Sequence, residues 1–171
     1  FSLLNKISSR VILFDINTRM LSIGKERATA KGKLDKLTWV CGDAEALPLP
    51  CGSVDIYVTA FCLRNVGQLS EALREARRIL KPGGQFLCLE FSTVTLPVLS
   101  RLYNSYSFKV LPIVGHLVAK DREAYLYLVE SIRKFPAQDK FAHLIREAGL
   151  DQVNYRSLSG GIVAIHSAWR L

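Results

Sequence analysis

At 171 residues, with 49% apolar and 22% charged side chains, the chain fits a soluble globular protein with one real core. Its 23 Lys and Arg against 15 Asp and Glu give a formal net charge of +8, which favours anionic surfaces. The cations are scattered, however, so most belong to a solvated face rather than to a nucleic-acid site. The longest apolar stretch, near residues 110–119, contains Pro112, Gly115 and His116 and falls short of the roughly 20 residues that span a bilayer. No cysteine or histidine lies at metal-ligand spacing.

In chain order, residues 9–15 predict a strand, with Val11-Ile12-Leu13-Phe14 ending in Asp15, followed by a helix over 18–31 on Met20, Leu21, Ile23 and Ala28 that Gly32 stops. Residues 37–41 and 54–61 predict a second and a third strand, with Pro48 and Pro50 marking an irregular connection between them. An amphipathic helix over 70–80 turns through Lys81-Pro82-Gly83-Gly84 into a fourth strand at 85–91. Residues 95–134 read as a helical insertion rich in aromatics, among them Tyr103, Tyr106, Phe108, Tyr125 and Tyr127. A helix over 139–148 precedes a terminal hairpin, 153–158 and 162–169, joined by Ser159-Gly160-Gly161. Cys41, Cys51, Cys62 and Cys88 read as small core residues in a reducing compartment. No initiator methionine, secretory signal or arginine-rich presequence is recognisable, so a targeting segment is expected to be cleaved or to lie outside this chain.

Strands that each end in polar residues and a helix predict a parallel sheet whose carboxyl edge forms a ligand crevice. Asp15 stands at such an edge, where its two oxygens can accept both hydroxyls of a ribose; as an acid before Asn17 and Thr18 it also suits an ordinary helix cap. Gly42-Asp43-Ala44 ends the next strand. Phe61-Cys62-Leu63-Arg64-Asn65-Val66 finishes a hydrophobic run with two polar residues, an arrangement that implies either a docking polar group or an arginine paired with a nearby acid. Glu90, at the end of the fourth strand, reads as a buried ion-pair partner or a substrate contact. For His116, His143 and His166 the structural reading is favoured over a proton-transfer role.

The wording and order of these pieces, Val-Ile-Leu-Phe-Asp15-Ile-Asn, Gly42-Asp43-Ala44, Arg64-Asn65, Leu80-Lys81-Pro82-Gly83-Gly84 and Ser159-Gly160-Gly161-Ile162-Val163-Ala164, resemble the ubiquinone/menaquinone C-methyltransferase family. That family lies within the class I S-adenosylmethionine-dependent methyltransferases, and the chain looks like its mitochondrial, animal-type members. The resemblance runs from Val11 to Leu171. It implies a Rossmann-like α/β sheet with a terminal antiparallel hairpin and a helical cover at about 95–134, in a single domain over 1–171. The family's first strand, its G-x-G-x-G turn and its amino-terminal helices have no counterpart here.

The resemblance further implies transfer of a methyl group from S-adenosyl-L-methionine to a polyprenyl benzoquinol ring in ubiquinone synthesis. Asp15 is then the ribose ligand, Asp43 accepts from the adenine amine, and the backbone amide of Ala44 approaches the adenine ring. Arg64 and Asn65 become the substrate-facing catalytic pair. A guanidinium, with a pKa above about 12, suits stabilisation of a ring oxyanion rather than proton abstraction. Implied partners are the quinol, other ubiquinone-synthesis proteins in one assembly and the matrix face of the mitochondrial inner membrane. The sequence departs from the family at Leu49-Pro50-Cys51-Gly52-Ser53, which replaces a more acidic turn, and at Ala60, where bacterial members more often carry serine. Two competing readings are a non-catalytic scaffold that binds lipid or partner proteins, and a nicotinamide-dependent oxidoreductase with Asp15 on the ribose. Asp15, Asp43 and Arg64 are expected to share one rim.

Overall fold

A computed structural model describes residues 10–32, 34–93 and 122–171 of the chain. Two compact units divide it, Phe1–Pro48 and Leu49–Leu171.

In the first unit, β1 (Val11–Asp15) pairs in parallel with β2 (Leu37–Cys41), from Val11 opposite Leu37 to Asp15 opposite Cys41. Parallel strands need a crossover, and α1 (Thr18–Ala30) supplies it. Asn17 starts that helix in extended backbone, its side-chain oxygen accepting from Arg19 N and Met20 N, which satisfies two of the four orphan donors of the first turn. Ala28 and Leu37 are buried, with Val11, Leu13 and Trp39 packed against them. Alternation along β1 and β2 puts Val11, Leu13, Leu37 and Trp39 on this one face. Close approach of α1 depends on Gly24, where a Cβ would lie 2.6 Å from the Trp39 ring.

The second unit holds a four-stranded mixed sheet in the order β3 (Val54–Ala60), β4 (Leu80–Phe91), β6 (Val163–Trp169) and β5 (Asp151–Leu158). β3 and β4 run parallel, connected through α2 (Leu69–Ile79); β4 with β6, and β6 with β5, run antiparallel. Strand pairing begins already at Leu80, opposite Val54, earlier than the expected start at Gln85. The register then shifts before Ile56 pairs with Gln85, so the Lys81-Pro82-Gly83-Gly84 turn is absorbed as an irregular lead-in to the strand. Gly84 is required there, because a Cβ would meet the carbonyl oxygens of Lys81 at 2.8 Å and Asp55 at 3.1 Å.

Helices α2 and α4 (Gln138–Glu147) touch each other, and lie against β4 and against β5 and β6 respectively. Leu73, Ile79, Leu80, Phe86, Phe141, Ile145 and Leu150 are the large apolar side chains fully buried in this core. α3 (Arg122–Lys134) is the described part of the expected helical cover; Tyr103, Tyr106, Phe108 and His116 lie outside the described residues. Among the described residues β1 pairs only with β2, and β3 only with β4, and β3 leaves Ile56 and Val58 exposed. The cysteine expectation is corrected: Cys88 is buried in β4, whereas Cys41, Cys51 and Cys62 are exposed, because they sit at strand ends and in a turn, beyond the reach of the packed helices.

Candidate active site

Asp15 and Asp43 mark the carboxyl end of the two-stranded sheet. The carbonyl of Asp15 accepts from Gly42 N at 3.2 Å, which ties the exit of β2 to the exit of β1. Gly42 is needed for that approach, since a Cβ there would lie 2.8 Å from the Phe14 ring. Each acid uses its Oδ1 locally: Asp15 accepts from Asn17 N at 2.8 Å, and Asp43 from Glu45 N at 2.9 Å. The second turn, which contains Ala44, is closed by Ala46 N donating to the Asp43 carbonyl at 3.1 Å. Local capping therefore takes one oxygen of each acid. Asp43 is exposed and Asp15 half-buried, and neither Oδ2 accepts a hydrogen bond among the described residues. Between α1 and the sheet lies an apolar hollow of about 370 Å³, lined by Val11, Leu13, Met20, Leu21 and Trp39 and reached by Asp15.

Arg64 and Asn65 lie in the short 3-10 turn Leu63–Asn65 that follows β3. The chain enters this turn through Phe61, which holds a left-handed φ of 55°, a conformation that costs a non-glycine residue about 1–3 kcal/mol. Its backbone N–H still donates to Leu89 O at 2.9 Å, while its carbonyl turns to accept from Arg64 Nη1. The same Nη1 donates to Glu90 Oε1 at 2.8 Å. Glu90 ends the neighbouring strand β4 and is 1% exposed; its Oε1 also accepts from Phe91 N at 3.1 Å and its Oε2 from Arg64 N at 3.4 Å. The pair is largely desolvated, with side-chain exposures of 12% for Arg64 and 2% for Glu90. The guanidinium carbon lies 5.9 Å from the Phe61 ring centre and 5.3 Å from that of Phe91, within cation–π range. Arg64 Nε is enclosed and has no hydrogen-bond partner. Of the two meanings Arg64 has in the sequence, a nearby acid is present, and the guanidinium has donors beyond those it uses.

Asn65 is held from a distant part of the chain: the Tyr127 hydroxyl, on α3, donates to Asn65 Oδ1 at 3.0 Å. This contact is not legible in the sequence. The aromatic spacing of residues 125–127 is visible there, but nothing local says that one of those rings reaches a turn 62 positions earlier. Glu90 was correctly legible as an ion-pair candidate because a carboxylate at that point of an apolar strand demands a partner.

The remaining polar groups of the core serve structure. His166 is buried on β6, with Nε2 3.1 Å from the carbonyl of Gln138 and Nδ1 enclosed without a partner; burial lowers its pKa more than Gln138 and Asp139 raise it. Burial likewise pushes the Tyr57 phenol and the Cys88 thiol up, so both stay protonated at neutral pH. His143 is exposed beside Glu147 at 3.3 Å. Among the described residues no group of His, Cys, Asp and Glu could hold a metal ion.

Acids end the strands of one parallel pair and an Arg-Asn turn follows a strand of another, and solved structures give the class of this fold. The chain superposes on a SAM-dependent methyltransferase of Thermotoga maritima, described as a possible histamine N-methyltransferase, with a TM-score of 0.66 at 20% identity, covering 94% of this chain and 72% of that one. It also superposes on the geranyl diphosphate C-methyltransferase of Streptomyces coelicolor, solved with S-adenosyl-L-homocysteine, with a TM-score of 0.69 at 14% identity, covering 99% and 66%. The fold is therefore that of the class I SAM-dependent methyltransferases.

Sequence comparison narrows this. The ubiE/COQ5 methyltransferase family matches residues 1–170, and the chain belongs to that family. The human mitochondrial 2-methoxy-6-polyprenyl-1,4-benzoquinol methylase is 54% identical over 163 residues, 95% of this chain and 50% of that protein. A ubiquinone/menaquinone biosynthesis C-methyltransferase of Methylobacterium nodulans is 54% identical over 165 residues, 95% of this chain and 64% of that protein. The chain thus spans about half the length of the mitochondrial relatives it matches.

Proposed function

We propose that this chain carries the nucleoside and ring sites of a C-methyltransferase that acts on a polyprenyl benzoquinol in ubiquinone synthesis, with S-adenosyl-L-methionine as methyl donor. The observation that carries the reading is the Arg64–Asn65 turn, clamped by Glu90 and Tyr127 at a strand end, in a chain 54% identical to a benzoquinol methylase. S-adenosyl-L-methionine supplies an electrophilic methyl on a sulfonium. Asp15 and Asp43 fit its nucleoside, since each keeps an oxygen free of the local turn: Asp15 for the ribose hydroxyls and Asp43 for the adenine amine, with the Ala44 amide against the adenine ring.

A quinol ring carbon is nucleophilic enough for this displacement only when a neighbouring hydroxyl is ionised. Arg64 stabilises that oxyanion by hydrogen bonding and charge, and Asn65 orients the ring through a second oxygen. Glu90 keeps the guanidinium in place. Arg64 takes no proton from the ring, as its own pKa lies above about 12.

The same reading treats residues 1–171 as one methyltransferase domain, with the segment at about 95–134 covering the substrate's apolar tail. It places the protein peripherally on the matrix side of the mitochondrial inner membrane, among other ubiquinone-synthesis proteins. Support for the compartment comes from the mitochondrial relatives, and no described helix is long and apolar enough to cross a membrane.

The test is transfer of labelled methyl from S-adenosyl-L-methionine to a short-tailed methoxybenzoquinol, by this chain alone and by this chain joined to the remaining part of the human relative. Label on a ring carbon in either case supports the reading. No ring label from either, with the quinol kept reduced, contradicts it.

A further inference from the structure

Phe61 departs from the pattern of its own strand. Thr59 is buried opposite Cys88, and regular alternation would set position 61 on that same side of the sheet, beside Glu90. Instead, with its left-handed φ of 55°, Phe61 lays its ring against Phe91, which alternates to the other side of β4 from Phe86, Cys88 and Glu90. The two ring centres are 4.7 Å apart with 41° between planes. This conformation is fixed at both ends, since Phe61 N–H donates to Leu89 O at 2.9 Å and its carbonyl accepts from Arg64 Nη1. Strained backbone persists only where its surroundings hold it in this way. Yet the ring so aimed is not covered: Phe61 is 37% exposed, whereas Leu63 two positions on is buried. A scattered exposed phenyl is ordinary. One aimed by a strained residue, with the Arg64 guanidinium carbon 5.9 Å from its centre and Asn65 in the same turn, is a flat apolar surface set beside two polar groups.

Contacts from Arg64 and Asn65 to two ring oxygens hold an aromatic substrate by its edge and leave it free to tilt about the line joining them. A methyl group arrives along the normal to the ring plane, so the tilt has to be fixed as well. We propose that Phe61 is a specificity-determining residue of this site, its phenyl being the surface on which one face of the substrate ring stacks. The other face is left for the methyl donor. Such a surface accepts a flat aromatic ring and disfavours a puckered saturated ring that carries the same oxygens, because only the flat ring meets the phenyl over its whole area. Phe91 supports the Phe61 ring, and Arg64, by holding the Phe61 carbonyl, sets its direction. The inference rests on the reading that Arg64 and Asn65 meet ring oxygens, and adds the group that meets the ring's face.

The probes are benzene-1,4-diol, kept reduced, and cyclohexane-1,4-diol, each titrated into the full chain and followed by NMR. The unmodified protein binds the aromatic diol about fivefold more tightly than the saturated one. The ring protons of the bound aromatic diol also move upfield, as protons do above the face of another aromatic ring. Phe61→Gly takes the left-handed backbone without strain, so the turn and the Arg64–Glu90 pair form without the phenyl. In that variant the preference falls to about twofold or less and the upfield displacement is lost. Phe61→Tyr, which keeps a ring, restores both. A purely structural role would weaken the two diols alike and leave their ratio unchanged.

A preference or an upfield displacement that persists in Phe61→Gly, absence of either in the unmodified protein, or no binding of the aromatic diol overturns the inference. Methyl transfer is not read in this titration. A preference that depends on Phe61, in a protein that labels no quinol ring, keeps this inference and removes the proposed function; ring label with a preference indifferent to Phe61 does the reverse.

Discussion

Glu90 occupies a strand position whose neighbours on the same face, Phe86 and Cys88, are buried apolar residues. A carboxylate there is stable only because Arg64 and two backbone amides surround it, and such a pair gains little over an apolar one of equal volume, whereas half of it is costly. Glu90→Leu alone, which strands a guanidinium 12% exposed, is expected to lower unfolding free energy by about 3–5 kcal/mol in urea titrations. Combining it with Arg64→Met should recover most of that loss. A double variant as unstable as the single one would show that the two side chains are not coupled.

The polar residues that end strands are the part of the site legible in the amino-acid order itself. An acid after Val-Ile-Leu-Phe and an arginine-asparagine pair after a hydrophobic run stand out because local sequence gives them no apolar reason to be there. Contacts made across the chain are not legible in the same way. Tyr127 reaching Asn65, and the unpartnered nitrogens of Arg64, His166 and Trp39, depend on how distant elements pack.

At the level of elements, the terminal hairpin and α4 meet around His166. Phe141 and Tyr155 flank its ring at 4.8 and 5.3 Å between centres, the Gln138 carbonyl faces Nε2, and Asp139 is tied to the Tyr155 hydroxyl at 2.8 Å. Its pKa is lowered in the fold, chiefly by burial, so the unfolded chain binds a proton that the folded one resists. The stability of the neutral form is fully present above the unfolded value near 6.5 and is lost as pH falls through it toward the lower folded value. Urea midpoints measured above and below that value should therefore decline on acidification, and the decline should flatten in His166→Gln. An equal slope in both proteins would contradict this.

Packing of α1 on its sheet makes a second prediction. Gly24→Ala drives a methyl into the Trp39 ring at 2.6 Å, and overpacking of this kind costs about 1–3 kcal/mol. In a Trp169→Phe background, the fluorescence of Trp39 reports the loss in this unit directly. Unchanged emission and midpoint would show that the ring moves aside freely. α1 ends within a residue of its predicted bound, whereas β1 begins at Val11 against a predicted start at Ser9, because only the Val-Ile-Leu-Phe run has apolar side chains to pack. The early start of β4 at Leu80 is not visible in this way, because pairing across a Pro-Gly-Gly lead-in depends on the partner strand.

For the whole molecule, family and fold emerge from the order of short motifs, whereas the division into two compact units at Pro48 shows in the sequence only as the irregular Pro48–Pro50 connection. In the proposed reaction a nucleoside belongs to the acids of the first unit and a ring oxygen to the Arg-Asn turn of the second. The most direct test is a paired titration of the chain joined to the rest of its human relative, with S-adenosyl-L-homocysteine and with a nitrophenol in its ionised form as a stand-in for the quinol ring, in Asp15→Ala and in Arg64→Lys. Asp15→Ala should weaken the nucleoside about tenfold and leave the phenol unchanged, and Arg64→Lys should weaken the phenol about tenfold and leave the nucleoside unchanged. Equal loss of both ligands in either variant, or no loss of the nucleoside in Asp15→Ala, would contradict that assignment.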